Sequence, residues 1–97
     1  MNTGLESKMV EKIKTVAKNN PKIRDIVLFG SRAKGVARNG SDIDLAVIGN
    51  NISFRDICSL SAKFDELDLP YKIDLVDYNK IINKDLKEHI DRVGMVL

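Results

Sequence analysis

The stretch LFGSRAKGVARNGSDIDLAV, from Leu28 to Val47, holds the residues of this chain best suited to chemistry. Asp42 and Asp44 stand one residue apart, the second inside an apolar run. In a strand, residues i and i+2 share a face, so both carboxylates point one way while Ile43 and Leu45 point the other. Aspartate is depleted in strands. Two carboxylates at ~4 Å repel by roughly 4 kcal/mol at an effective dielectric of 20. A small domain has only about 5–15 kcal/mol of total stability to set against that. A divalent cation reverses the sign, and carboxylates with phosphate and water are how Mg²⁺ is ordinarily held. Asp74 lies in a second such setting, YKIDLVD, between Ile73 and Leu75. If the two strands are parallel neighbours, Asp44 and Asp74 meet. Three carboxylates then suffice for two metals, or for one metal and a base for an attacking hydroxyl. The plainer reading of Asp42 is a turn cap in the turn-forming NGSD. It suits Asp44 much less well, because Asp44 is enclosed in IDLAVI. Asp77 reads as a turn or helix-starting residue.

Gly30 and Ser31 supply a second kind of chemistry. A glycine at a strand end permits unusual dihedrals and close backbone approach. Where a helical turn opens there, Ser31 and the following N–H groups form an anion site. Arg32 adds positive charge for a triphosphate; Lys34 reads as a solvated side chain, and Gly35 as a turn. Other phosphate motifs fit worse. Gly30 and Gly35 have Walker A spacing, but Val36 and Ala37 stand where Lys and Ser/Thr belong. Ser31 has no GxSxG context for acyl transfer. His89, the sole histidine, lies on a late helix and reads as a surface residue; one histidine also excludes multi-histidine metal sites.

These residues need a frame. Leu5, Met9, Val10, Ile13, Val16 and Ala17 recur at helical spacing and predict a helix over 5–18, stopped by Asn19, Asn20 and Pro21. Ile23 to Phe29 reads as a first strand and Ile43 to Ile48 as a second. Ser53 is an N-cap with Asp56 at the capping-box position. A helix is expected after it, with Phe54, Ile57, Cys58, Ser61 and Phe64 on one face. Tyr71 to Val76 is a third strand. Asn79 to Val93 is helical, interrupted near Asn83, with Ile82, Leu86, Ile90 and Val93 on one face. Helices alternating with strands predict one small α/β domain over 1–97, with a mixed sheet of three or four strands flanked by helices. The first two strands are expected antiparallel, and the second and third parallel through a right-handed crossover. The apolar tail VGMVL either packs on the domain or offers a contact surface for a partner or a second copy.

Composition narrows the classes. Ninety-seven residues allow one domain. Sixteen basic against fourteen acidic residues give +2, too balanced for a polybasic nucleic-acid binder. A single cysteine, Cys58, excludes an intrachain disulfide and fits a reducing, cytoplasmic setting. No apolar run approaches the ~18 residues of a membrane span.

Gly30-Ser31, ten intervening residues and then Asp42-x-Asp44 resemble the Gly-Ser-x10-Asp-x-Asp signature of the DNA polymerase β-like nucleotidyltransferases. Asp74 falls where their third acidic residue is expected, and the element order is similar over nearly the whole chain. The short length resembles the minimal nucleotidyltransferase (MNT) branch. That resemblance implies a polymerase β palm-like fold and Mg²⁺-dependent transfer of a nucleoside monophosphate, AMP from ATP, to a hydroxyl. It implies Asp42, Asp44 and Asp74 as metal-binding and catalytic residues, with two ions, and Gly30, Ser31 and Arg32 at the nucleotide. It also implies a HEPN-type toxin as partner, with a toxin tyrosine as acceptor and antitoxin activity as the outcome. The alternative is a non-catalytic antitoxin that neutralises its partner by binding alone.

Overall fold

The computed structural model describes residues 5–35 and 42–97. Residues 36–41, Val36 and Ala37 among them, lie outside the described residues, as do residues 1–4. Helix α1 spans Ser7–Lys18 and turns Ile13 and Ala17 into the core. The β-branched run Ile23–Phe29 forms β1 over the residues expected of it. Gly30–Ala33 is a four-residue helix, α2, and Ile43–Gly49 is β2. Helix α3 follows over Phe54–Asp65, then β3 over Ile73–Asp77. A 3-10 turn at Tyr78–Lys80 leads to helix α4, Lys84–Val93, and to a short strand β4, Met95–Val96.

The sheet order is β3-β2-β1-β4. β1 pairs antiparallel with β2 and with β4, while β2 and β3 are parallel, joined through α3. A mixed four-stranded sheet with helices is the predicted fold, and both predicted strand directions hold. Ile43, Leu45 and Val47 of β2 alternate onto one face, where they pack with Ile13, Leu28, Leu60 and Phe64. Val27, Phe29 and Ala46 point to the other face, which α4 covers through Ile90 and Leu86. Asp44 and Asp74 alternate onto this second face.

Two helical faces differ from expectation. Phe54 is 78% exposed and Cys58 is exposed, whereas Phe64 of the same expected face is buried together with Leu60, and Ile57 packs against the core. Phe54 is the first helical residue after the cap, where the side chain projects outward. Ile82 is 95% exposed because it precedes the helix. Asn83 is the true N-cap of α4, accepting from the N–H groups of Asp85 and Leu86 at 2.9 and 3.1 Å. The tail packs on the body: Met95 pairs with Leu28, and the Leu97 N–H donates to the Ile26 carbonyl at 2.9 Å.

The capping box of α3 forms as read. Ser53 Oγ accepts the Asp56 N–H at 3.1 Å, and Asp56 accepts the Ser53 N–H at 2.8 Å. The Asp56 carboxylate also takes hydrogen bonds from Lys22 Nζ at 2.9 Å and Asn20 Nδ2 at 3.2 Å, tying α3 to the entry of β1. Lys22 first, then the Ser53 amide, holds the Asp56 carboxyl well below the usual carboxylate range. Stability from a depressed carboxylate is full above its unfolded value and is lost as pH falls through its folded one. Ser53→Ala is expected to lower stability by about 0.5–2 kcal/mol, the usual cost of losing an N-cap. Urea unfolding should show this as a lower midpoint at unchanged slope.

Candidate active site

β2 is the hinge of the site because it has the other two acting elements on either side. On its β1 side, Asp44 stands opposite Phe29, the residue before Gly30. On its β3 side, Asp44 stands opposite Asp74. The predicted meeting of these two aspartates through a parallel pair is therefore present. Asp42 immediately precedes β2, exposed, with its side chain expected on the same face.

Gly30 has φ +77°, in the left-handed region that favours glycine. A Cβ built there would overlap Asp44 Oδ2. The glycine thus serves two purposes: it turns β1 sharply into α2, and it admits the Asp44 carboxylate against the backbone. Ser31 follows, half-buried.

Burial is the first cause raising the Asp44 pKa above its ordinary value; the neighbouring charges of Asp74 and then Asp42 raise it further. His89, when charged, and Arg32 oppose the rise. The repulsion inferred from the sequence is thus present on this face. Lys72 partly balances it, with Nζ 3.6 Å from Asp74 Oδ1. Among the described residues, no three His, Cys, Asp or Glu side chains are drawn together as a metal-holding group. The three aspartates are electrostatic neighbours rather than a closed ligand cluster. Their chemistry still suits a hard divalent cation: oxygen donors only, mutually repelling, on adjoining strands.

Arg32 does not stand in the open as a triphosphate ligand would. It is 2% exposed. Its guanidinium carbon lies 4.2 Å from the centroid of the Tyr71 ring, and its Nε donates to the Asp42 carbonyl at 3.3 Å. It therefore joins α2 to the start of β2 and to the approach of β3. Lys34 is exposed, as expected.

His89 is a correction. It is half-buried rather than a surface residue, and its Nε2 accepts the Gly30 N–H at 3.1 Å. Its ring meets Phe29 edge-on, with centroids 6.1 Å apart and planes at 79°. The Gly30 amide is engaged by this bond and is not a free donor of the turn. A lone histidine on a helix carries no spacing signal, so only the fold reveals the contact.

A mixed sheet that places a glycine-serine turn against aspartates on two parallel neighbours defines a nucleotidyltransferase. The chain belongs to the family described as "Polymerase beta, Nucleotidyltransferase", whose profile matches residues 11–97. It is thus a transferase that uses nucleotides. Among its relatives is a Haemophilus influenzae protein named "Probable protein adenylyltransferase MntA". That protein is 33% identical over 94 residues, covering 96% of this chain and 82% of the relative. A toxin-antitoxin crystal structure with AMP-PNP superposes at TM-score 0.72 and 29% identity, over 95% of this chain and 72% of the other. A tri-AMPylated Shewanella oneidensis HEPN toxin in complex with MNT antitoxin contains a similar chain. It has TM-score 0.63 and 26% identity, over 91% of this chain and 70% of that one. Among the described residues, no helix is long and apolar enough to cross a membrane.

Proposed function

We propose that residues 1–97 form one transferase unit that moves AMP from ATP to a tyrosine hydroxyl of a HEPN-type toxin, and that this modification silences the toxin. The observation that carries the reading is the Asp44 carboxylate seated against Gly30 and in register with Asp74. Its acceptor side is supported by the likeness to an MNT antitoxin complexed with an AMPylated HEPN toxin. An ATP-consuming enzyme with a free, exposed Cys58 suits a reducing cytoplasm.

Asp42, Asp44 and Asp74 would hold Mg²⁺, two ions in the full site. Bound there, Mg²⁺ offsets the charge of the triphosphate and of the leaving pyrophosphate. The chain's own groups do the rest. Ser31 and the amides of α2 hold the β/γ-phosphates, and Gly30 leaves room for them beside Asp44. Arg32 fixes the Asp42 backbone from beneath. The acceptor oxygen attacks the α-phosphorus as the bond from that phosphorus to the β-phosphate bridging oxygen breaks. Pyrophosphate departs with that electron pair, and Asp74 receives the hydroxyl proton. Fixed donors aimed at developing charge account for much of the acceleration in such sites.

Incubating the protein with ATP, Mg²⁺ and a HEPN-type toxin should add one or more AMP masses to that partner. The transfer should stop when EDTA removes the metal. A partner neutralised with no gain in mass would instead favour neutralisation by binding alone.

A further inference from the structure

The loop-to-helix bond at Gly30 has no counterpart in the reaction just described. His89 lies in α4, 59 residues along the chain from the glycine whose amide it accepts. A backbone amide can only donate, so Nε2 carries the lone pair and the neutral ring must bear its proton on Nδ1. The ring is held in place: its edge contact with Phe29 fixes the plane, and Ile90, the next residue, is buried against Val27, Phe29 and Ala46. Gly30 gains a fixed partner at the point where its φ of +77° makes the chain turn, beside the Asp44 carboxylate.

We infer that His89 is a positioning residue of the transfer site: through the Gly30 N–H, it sets the Gly-Ser turn of α2 at its working distance from Asp44. The inference rests on the transfer function proposed above for what the turn does, but not for how the turn is held. A phosphate-gripping turn displaced by a fraction of an ångström loses alignment in the transition state more than it loses ground-state binding. Among the described residues, the turn is also anchored through its covalent link to β1, the Arg32 contacts and Ala33, which is buried in the core. α4 therefore does more than cover the sheet. Its His89 reaches the Gly-Ser turn.

Two substitutions separate this role from packing. His89→Phe keeps an aromatic ring against Phe29 and removes the acceptor. His89→Gln gives up the ring and places an amide oxygen near the position of Nε2. The positioning role predicts that His89→Phe lowers kcat about tenfold or more, with KM for ATP changed less than threefold. It also predicts that His89→Gln recovers most of the lost rate. A packing role predicts the reverse order, with Phe active and Gln impaired, and that order would overturn the inference. The rates are read with α-labelled ATP, Mg²⁺ and the HEPN-type partner. A third measurement needs no activity: long-range ¹⁵N–¹H spectra of the wild-type ring at pH 8 should show the Nδ1–H tautomer. They should also show a Gly30 amide resonance that moves in His89→Phe. An Nε2–H tautomer sinks the inference even if transfer is robust. The expected tautomer and shift sustain the contact even if the wild-type protein transfers nothing and the functional reading fails.

Discussion

Asp44→Asn is expected to abolish detectable transfer and, without metal at neutral pH, to make the protein more stable than wild type. The first effect follows from position. Asp44 has Gly30 on one side and a second aspartate in register on the other. An amide in its place keeps the shape and loses the charge that would hold a cation. Losing several kcal/mol of transition-state stabilisation corresponds to about a thousandfold in rate. The second effect follows from the raised pKa. Burial, then Asp74 and Asp42, push the Asp44 pKa above 3.8 in the folded protein. The folded state then binds more protons than the unfolded state across the interval between the two values. Stability falls as pH rises through that interval, and the full penalty persists above it. Asparagine carries no such penalty. The melting temperatures should lie close together near pH 4 and separate by about 2–6 °C by pH 7, with the variant higher. Mg²⁺ should close the gap by stabilising wild type alone. A variant that melts lower than wild type in metal-free neutral buffer would show that these carboxylates do not repel as the structure places them.

Much of this arrangement was legible because it depends on period and on local chemistry. β1 and β2 are β-branched runs bounded by glycine, and alternation alone put Asp44 on the face opposite Ile43 and Leu45. The parallel β2-β3 pair follows from a helix of crossover length between two strands, and it brings Asp44 to Asp74. The Ser53–Asp56 cap is a contact over three residues, which sequence can specify. What stayed hidden depends on long-range contacts or on competing local choices. His89 accepts from a backbone amide, which has no residue type to mark it. The sequence marks Arg32 by its charge alone, whereas its flat guanidinium stacks on Tyr71 and is buried. In α3, the expected face holds at Ile57 and Phe64 but not at Phe54 and Cys58, which are exposed. The cap fixed the helix start, and the start decided that Leu60 and Phe64 face the sheet. Ile82 looked helical until Asn83 took the capping position after it.

Gly30→Ala tests the same site from the backbone side, and its two costs should differ greatly in size. The backbone cost is ordinary. A non-glycine residue at φ +77° is strained by about 1–2 kcal/mol, worth roughly 5–10 °C in melting temperature for a domain of this size. The steric cost falls on the chemistry. The added carbon would overlap Asp44 Oδ2, the far end of a side chain that can rotate away. Rotation relieves the clash for little folding energy, but it takes the carboxylate from its place beside the turn. Transfer should therefore drop by about a hundredfold or more, the scale expected when a reacting geometry shifts by about an ångström. The same change made in Asp44→Ala separates the two costs. There only the Asp44 Cβ remains, 3.4 Å from the new carbon, an ordinary contact. The stability loss from Gly30→Ala should be nearly the same in both backgrounds, because it comes from the backbone. If the loss shrinks by more than about 1 kcal/mol in the Asp44→Ala background, the carboxylate is locked rather than free to rotate. The activity loss would then trace to strain throughout the turn, not to a displaced Asp44. Transfer within threefold of wild type in Gly30→Ala would mean that Asp44 can act from another rotamer, and that the glycine is needed only for the turn.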